Sequence, residues 1–79
     1  MPAIVKLDRS QSPSDPDNFI LVDHNQDEEI KTAYKVDFQA DNSGFPIGGT
    51  FFARSPESAL KEAVRLAELW GIPEVNTYV

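Results

Sequence analysis

With 79 residues, 13 acidic and 7 basic side chains and no cysteine, the chain is a single small acidic domain, residues 1–79. A domain of this size buries only about 60–65% of its unfolded surface. The net charge of −6 disfavours direct binding of DNA or RNA, because that affinity depends on Lys and Arg. The lack of cysteine excludes disulfides and thiolate metal sites, and the sequence shows neither a signal peptide nor a run of about 18 apolar residues. We therefore expect a cytoplasmic protein that does not cross a membrane.

The first third of the chain holds the whole charge imbalance. Residues 8–29 contain seven acids and one base, which leaves six net negative charges, and the other six acids and six bases cancel. Residues 3–7, AIVKL, predict a short first strand. Residues 8–18, DRSQSPSDPDN, have the Ser, Pro and Asp content that is typical of a mobile loop. The apolar run FILVD, residues 19–23, predicts a second strand, and HNQDEE, residues 24–29, predicts a polar turn.

A hairpin is predicted in the middle of the chain. Apolar and polar residues alternate over residues 30–40, the period of a half-buried strand. The turn-forming residues 41–44, DNSG, connect it to a fourth strand, IGGTFFAR, residues 47–54. Its Gly48-Gly49 pair predicts a bulge or the close approach of another backbone.

A helix is predicted over residues 55–71, SPESALKEAVRLAELWG. Ser55 is suited to be the N-cap, Pro56 the first helical residue and Gly71 the left-handed residue that ends the helix. Leu69 is the only large apolar residue on the polar arc. At 100° per residue the apolar arc comprises Ala59, Leu60, Ala63, Val64, Leu66, Ala67 and Trp70.

Together these elements predict an α+β fold: a small antiparallel sheet of four to five strands with one amphipathic helix on one face, in the order β-β-β-β-α-β. Residues 75–79 supply the closing strand. Because a lone helix covers one face only, one of the rings of Phe51 and Phe52 must point away from it. Burial of a Phe side chain is worth about 1.5–3 kcal/mol, so we expect residues 1–18, a second copy or another protein to cover the second face.

No catalytic or metal-binding motif is complete. Asp23, Asn25 and Asp27 have the spacing of the first three ligands of a calcium-binding EF-hand loop, but the required Gly and Glu later in that loop are absent. His24 is the only histidine, so a Cys/His metal site or a nucleophilic triad cannot be built. We expect His24 on a surface turn, with pH sensing as its alternative role. We expect no enzymatic activity, no cofactor and no metal.

The acidic run allows two interpretations. One is a solvated loop that aids solubility. The other is a decoy surface that binds the Lys/Arg groove of a nucleic-acid-handling protein, with apolar anchors beside the charges. For the second interpretation Phe52 and Leu69 are the candidate apolar anchors. The candidate charged contacts are Asp15, Asp17, Asp27, Glu28 and Glu29.

Residues 13–79 resemble the small acidic phage-encoded anti-CRISPR proteins in element order, in charge and in the segment Glu68-Leu69-Trp70-Gly71. The resemblance implies a stoichiometric inhibitor that occupies the surface by which a Cascade-type complex, or its nuclease, handles DNA. Its localisation would then be the host cytoplasm.

The segment Ser55-Pro56-Glu57-Ser58-Ala59-Leu60 is similar to the start of the helix in HicB-type antitoxins. The chain departs from that family in lacking its Pro-Asp-Leu-Pro-Gly segment and its DNA-binding tail. This resemblance implies an antitoxin or regulatory subunit that binds a partner through its sheet. A structural homodimer is the third alternative. The function that we expect first is a non-enzymatic inhibitor that blocks a basic protein surface, most concretely a CRISPR effector complex.

Overall fold

The structure, a computed structural model, describes residues 2–26, 33–42 and 44–79. Within these residues no helix is long and apolar enough to span a membrane. The strands form one sheet in the order β1-β5-β2-β3-β4, and the α+β class with a lone helix on the sheet is confirmed. The elements are β1 (Ala3–Lys6), β2 (Phe19–His24), β3 (Tyr34–Asn42), β4 (Phe45–Ala53), α1 (Pro56–Trp70) and β5 (Glu74–Thr77).

The sheet is mixed, which corrects the expectation of purely antiparallel pairing. β2 pairs antiparallel with β3, and β3 with β4, but β5 lies between β1 and β2 and runs parallel to both. The reason is the length of α1, whose 15 residues span about 22 Å and return the chain to the end of the sheet where β4 began. The strand after the helix therefore runs in the same direction as β4.

Two connections join parallel strands, and they cross the sheet in opposite directions. α1 leads from β4 to β5, towards the β1 edge, whereas residues 7–18 lead from β1 past β5 to β2. Parallel crossovers are almost always right-handed. Right-handed crossovers in opposite directions occupy opposite faces, which places residues 7–18 on the face away from the helix.

α1 has the boundaries that its sequence predicts. The hydroxyl of Ser55 accepts a hydrogen bond from the Ser58 N–H at 3.1 Å, which satisfies one unpaired donor of the first turn. Gly71 ends the helix with a φ of 67°, and its N–H and that of Ile72 donate to the Ala67 carbonyl. The predicted apolar arc packs on the sheet, and Leu69 is exposed, as predicted.

The β3–β4 hairpin is confirmed, with Asn42 opposite Phe45 and Gly44 at a φ of 85°. Its ladder pairs residues one to one, so Gly48 and Gly49 form no bulge. A Cβ atom on Gly48 would lie 3.1 Å from the Phe38 carbonyl oxygen, which is the predicted close approach of another backbone. His24 lies in β2 rather than in a turn, where its ring lies 5.2 Å from that of Tyr34. Of the predicted turn at 24–29 and strand at 30–40, residues 27–32 lie outside the described part of the chain, as does Ser43.

The hydrophobic core lies between α1 and the helix-facing side of the sheet. Cross-strand pairs share a face, so the register places Ile20, Val22, Val36 and Phe38 on that side. Trp70 packs against Phe38 with ring centroids 5.8 Å apart. The buried core comprises Ile20, Val22, Val36, Phe38, Ala40, Ala59, Ala63, Leu66, Ala67, Ile72 and Val75.

The opposite side, called the far face below, is not the bare apolar surface that the sequence suggested. β3 presents Lys35, Asp37 and Gln39 there, and Asp37 pairs with Lys35 at 3.4 Å and accepts a hydrogen bond from the Thr50 hydroxyl. Phe52 is the ring that points away from the helix. Because β3 is polar on this face and residues 7–18 cross it beside β2, the far face offers less apolar surface for a partner to cover than the sequence suggested. Of the three covers considered, the protein's own N-terminal segment lies partly over this face, and a second copy or another protein stays a prediction.

Candidate functional site

The acidic segment, defined as residues 8–18, is held against the far face at its first half. Arg9 donates to the Asp23 carboxylate through both terminal nitrogens, at 2.8 and 3.0 Å. The Arg9 guanidinium also lies over the Tyr78 ring, 4.8 Å from its centroid. The Tyr78 hydroxyl donates to the Gln11 carbonyl. β2 and the residue after β5 thus fix the segment by three contacts.

Asp23 is the electrostatic anchor of this attachment. Its side chain is only 14% exposed, whereas that of Arg9 is 56% exposed. Burial raises the pKa of Asp23, but hydrogen bonds from the Arg9 guanidinium and the His24 backbone N–H outweigh burial, so the pKa of Asp23 lies below its usual value. The same pairing raises the pKa of Arg9. The carboxylate therefore stays charged and holds Arg9 across neutral pH.

The second half of the acidic segment is organised by Asp15 and Asn18. One oxygen of Asp15 accepts hydrogen bonds from the backbone N–H groups of Asp17 and Asn18, at 3.0 and 3.2 Å, in an Asx-type turn. The Asn18 side-chain oxygen accepts from the backbone N–H of Asp41 in β3, at 3.0 Å. These bonds leave the carboxylates of Asp15 and Asp17 at the surface. The mobility predicted for residues 8–18 stays a prediction, and the contacts favour a fixed position.

A cavity of about 300 Å³ opens between the acidic segment and the start of β5. Asp15, Glu74 and Trp70 are among the residues that line it. Asn76 is only 5% exposed and its side chain forms no hydrogen bond within the described residues. Its position opposite Leu21 turns that amide to the far face, towards the cavity. A buried amide without a partner carries a desolvation cost that a bound polar group would relieve. The full lining is Ser14, Asp15, Asn18, Trp70, Gly71, Ile72, Pro73, Glu74 and Asn76.

The candidate residues predicted from the sequence do not form one cluster. Asp15 and Asp17 lie together on the acidic segment beside the cavity. Phe52 is 41% exposed on the far face of β4, beyond β3 from the acidic segment. Leu69 is 67% exposed on the helix, which packs on the other side of the sheet. The remaining candidates, Asp27, Glu28 and Glu29, lie outside the described residues.

Three structural features were missed from the sequence. The anchoring of Arg9 on Asp23 and Tyr78 joins positions far apart in the chain, and the sequence carries no signal for it. Asn76 looks like an ordinary polar strand residue until β5 is placed between β1 and β2. The third is the length of the uncharged edge strand β4. The sequence does carry a signal for this strand, because the run from Phe45 to Ala53 contains no charged residue.

Within the described ranges, no group of three or more acidic or His side chains lies close enough together to hold a metal ion. Comparisons with protein-family models, with curated proteins and with solved structures find no match for this chain. The site's chemistry therefore rests on the arrangement of its own residues.

Proposed function

We propose that this protein is a non-enzymatic interaction protein of the cytoplasm that binds a basic protein surface through its acidic segment. Most concretely, we propose an anti-CRISPR inhibitor, whose partner is the DNA-handling surface of a Cascade-type complex or its nuclease. The observation that carries the proposal is a set of surface carboxylates, from Asp8, Asp15 and Asp17, on a segment that is bonded across the far face next to an open cavity.

These carboxylates take part in no ion pair within the described residues. The ion pairs found within the described residues join Arg9 to Asp23, Lys35 to Asp37 and Arg65 to Glu62, so Asp8, Asp15 and Asp17 are in none of them. Like charges so close in sequence repel one another, and their mutual repulsion is relieved by a partner's Lys or Arg. Asp27, Glu28 and Glu29 would add to the same surface, which stays a prediction from the sequence.

The cavity supports a specific contact within this surface. Its volume is at the lower end of the range of small-ligand pockets, which suits one side chain better than a whole ligand. The acidic residues Asp15 and Glu74 line the cavity together with Trp70 and the buried Asn76, and this set of residue types favours an Arg or Lys side chain. A partner's basic side chain that enters here would satisfy Asn76 and neutralise the rim.

The expected mechanism is competition by charge. Carboxylates on a fixed segment imitate the phosphates that a basic groove normally binds, and complementary charge mainly raises the association rate and selects the partner. A fixed segment loses little conformational entropy on binding. Salt should weaken the complex, because the Debye length falls from about 10 Å at 0.1 M to about 3 Å at 1 M.

The test is capture of partners from a bacterial lysate by the immobilised protein, with Asp8→Lys/Asp17→Lys and Glu57→Lys/Glu68→Lys as matched variants. Both double variants change the net charge by the same amount, but only the first alters the acidic segment. We expect the native protein and the helix variant to capture basic nucleic-acid-handling proteins at about 0.1 M salt, and the segment variant to lose at least about tenfold in affinity. Equal capture by both double variants would refute the acidic-surface mechanism.

The specific proposal is tested on a purified Cascade-type complex. A stoichiometric amount of the native protein should prevent binding of target DNA to the complex, and the Asp8→Lys/Asp17→Lys variant should not. DNA binding that is unaffected by the native protein, for complexes of several subtypes and for their nuclease, would remove the anti-CRISPR proposal while leaving the acidic-surface mechanism to the capture experiment.

A further inference from the structure

β4 is an edge strand without the usual protection. Within the described residues it pairs with β3 only, so half of its backbone N–H and C=O groups point away from the sheet. It is nine residues long, is exposed over most of its length and carries no charged residue. Natural proteins protect such edges with short strands, Lys residues, proline or bulges. The opposite edge, β1, has four residues and includes Lys6, whereas β4 has Pro46 alone.

Pro46 also shows which backbone groups face outward. A proline lacks the N–H group and is tolerated in a sheet where that group would point to solvent. In an antiparallel ladder this direction alternates with a period of two. Gly48, Thr50 and Phe52 therefore direct their N–H groups away from β3. Three donors and four acceptors, counting the Pro46 carbonyl, form a row along this edge.

Apolar side chains flank that row on both faces of the sheet. Phe45 is 74% exposed, and Phe51 and Phe52 are each 41% exposed. Phe45, Ile47 and Phe51 lie on the helix-facing side, whereas Pro46 and Phe52 lie on the far face. An edge with open hydrogen-bonding groups and partly exposed rings on both sides is the geometry that adds a strand.

We propose that β4 pairs antiparallel with β4 of a second copy of this chain, about a two-fold axis at Gly49. In this register all nine residues of β4 overlap with those of the other copy. The residues whose backbone groups point outward pair with one another across the axis, Pro46 with Phe52 and Gly48 with Thr50. It also places Phe51 of one copy opposite Ile47 of the other, and Phe45 opposite Ala53. Each exposed ring then packs on a smaller apolar neighbour, and the two sheets join into one of ten strands.

Charge does not oppose a second copy as the occupant. Each chain carries a net charge of −6, but the uncharged strand brings no like charges together. β2, beside which the acidic segment lies, would be five strand spacings from β2 of the other copy, about 24 Å. This is about three Debye lengths at physiological salt, so repulsion between the acidic segments is screened. Two-fold dimers are also the commonest symmetric assembly.

Gly49 provides the test, because it lies on the proposed axis and a Cβ atom there would have nothing within 4 Å. A Gly49→Lys variant should keep the fold of the monomer, yet it sets two ammonium groups directly opposite each other in the dimer. Leu69→Lys is the matched control, since it adds the same charge at an exposed position on the helix. The measurement is mass by light scattering at about 100 μM, with dispersion of the amide NMR spectrum to confirm folding.

We expect twice the 8.8 kDa chain mass for the native protein and for Leu69→Lys, and the monomer mass for Gly49→Lys. Gly49→Glu should likewise be monomeric, and an equimolar mixture of the Lys and Glu variants should regain the dimer mass. A monomeric native protein, or a Gly49→Lys variant that stays dimeric, would overturn the proposal. A mixture that stays monomeric would overturn the register at Gly49. If Gly49→Lys does not fold, Phe45→Lys replaces it, because Phe45 is the most exposed ring of the strand.

Discussion

Ile20 and Leu21 are neighbours in β2, but they face different environments. Ile20 is fully buried against the helix-facing core, and Leu21 is partly buried on the far face beside the acidic segment. Replacing Ile20 with Ala should cost about 3 kcal/mol, because the cavity it leaves in a closed core cannot collapse fully. Replacing Leu21 with Ala should cost about 1 kcal/mol, roughly half the value of a fully buried Leu.

Thermal unfolding followed by circular dichroism measures the difference. For a domain of this length 1 kcal/mol lowers the Tm by about 4–8 °C, so we expect a decrease of about 12–24 °C for Ile20→Ala and about 4–8 °C for Leu21→Ala. Ile20→Val, at about 1 kcal/mol, is the substitute if Ile20→Ala does not fold. Equal costs for the two alanine variants would show that the far face is a second closed core. No cost at Leu21 would show that the acidic segment does not cover it.

Two further predictions concern the anchor and the cavity. Asp23→Asn should lower stability at pH 7, and the difference from the native protein should vanish in acid. The pKa of Asp23 is below its usual value in the folded state, so its stabilisation is present above about pH 4 and is lost as the pH falls through the folded-state pKa. Urea unfolding from pH 7 to pH 2 measures this, and a difference that is constant with pH would contradict it. N-acetyl-arginine amide should shift the backbone amide signals of Asp15, Glu74 and Asn76 in the native protein. An Asn76→Leu variant should lose these shifts and should be at least as stable as the native protein, because the buried Asn76 amide has no partner among the described residues. Reduced stability would instead assign Asn76 a structural role.

The helix could be predicted almost to the residue because its signals are local. Ser55 and Gly71 act within one turn of the helix, and the apolar period fixes the buried face. The alternation along β3 and the Gly at the hairpin turn are equally local, and both were confirmed. Segments whose structure depends on nearby residues alone are therefore visible in the sequence.

The position of β5 and of the acidic segment could not be predicted, because both depend on contacts between distant residues. The hydrogen bond from Tyr78 to Gln11 joins positions 67 residues apart, and that from Arg9 to Asp23 joins positions 14 apart. The composition of residues 8–18 resembles that of a mobile loop whether or not such bonds form. The candidate site was accordingly predicted in its charge but not in its cavity.

In the proposed mechanism the acidic segment is held as a fixed surface across the far face, ready to bind a basic partner. Backbone ¹⁵N relaxation tests it most directly, with order parameters for residues 9–18 compared with those of β2. We predict values near the rigid-backbone level of about 0.85 in both, because Arg9, Gln11, Asp15 and Asn18 are all bonded. Values below about 0.6 throughout residues 9–18, beside a rigid β2, would contradict the claim.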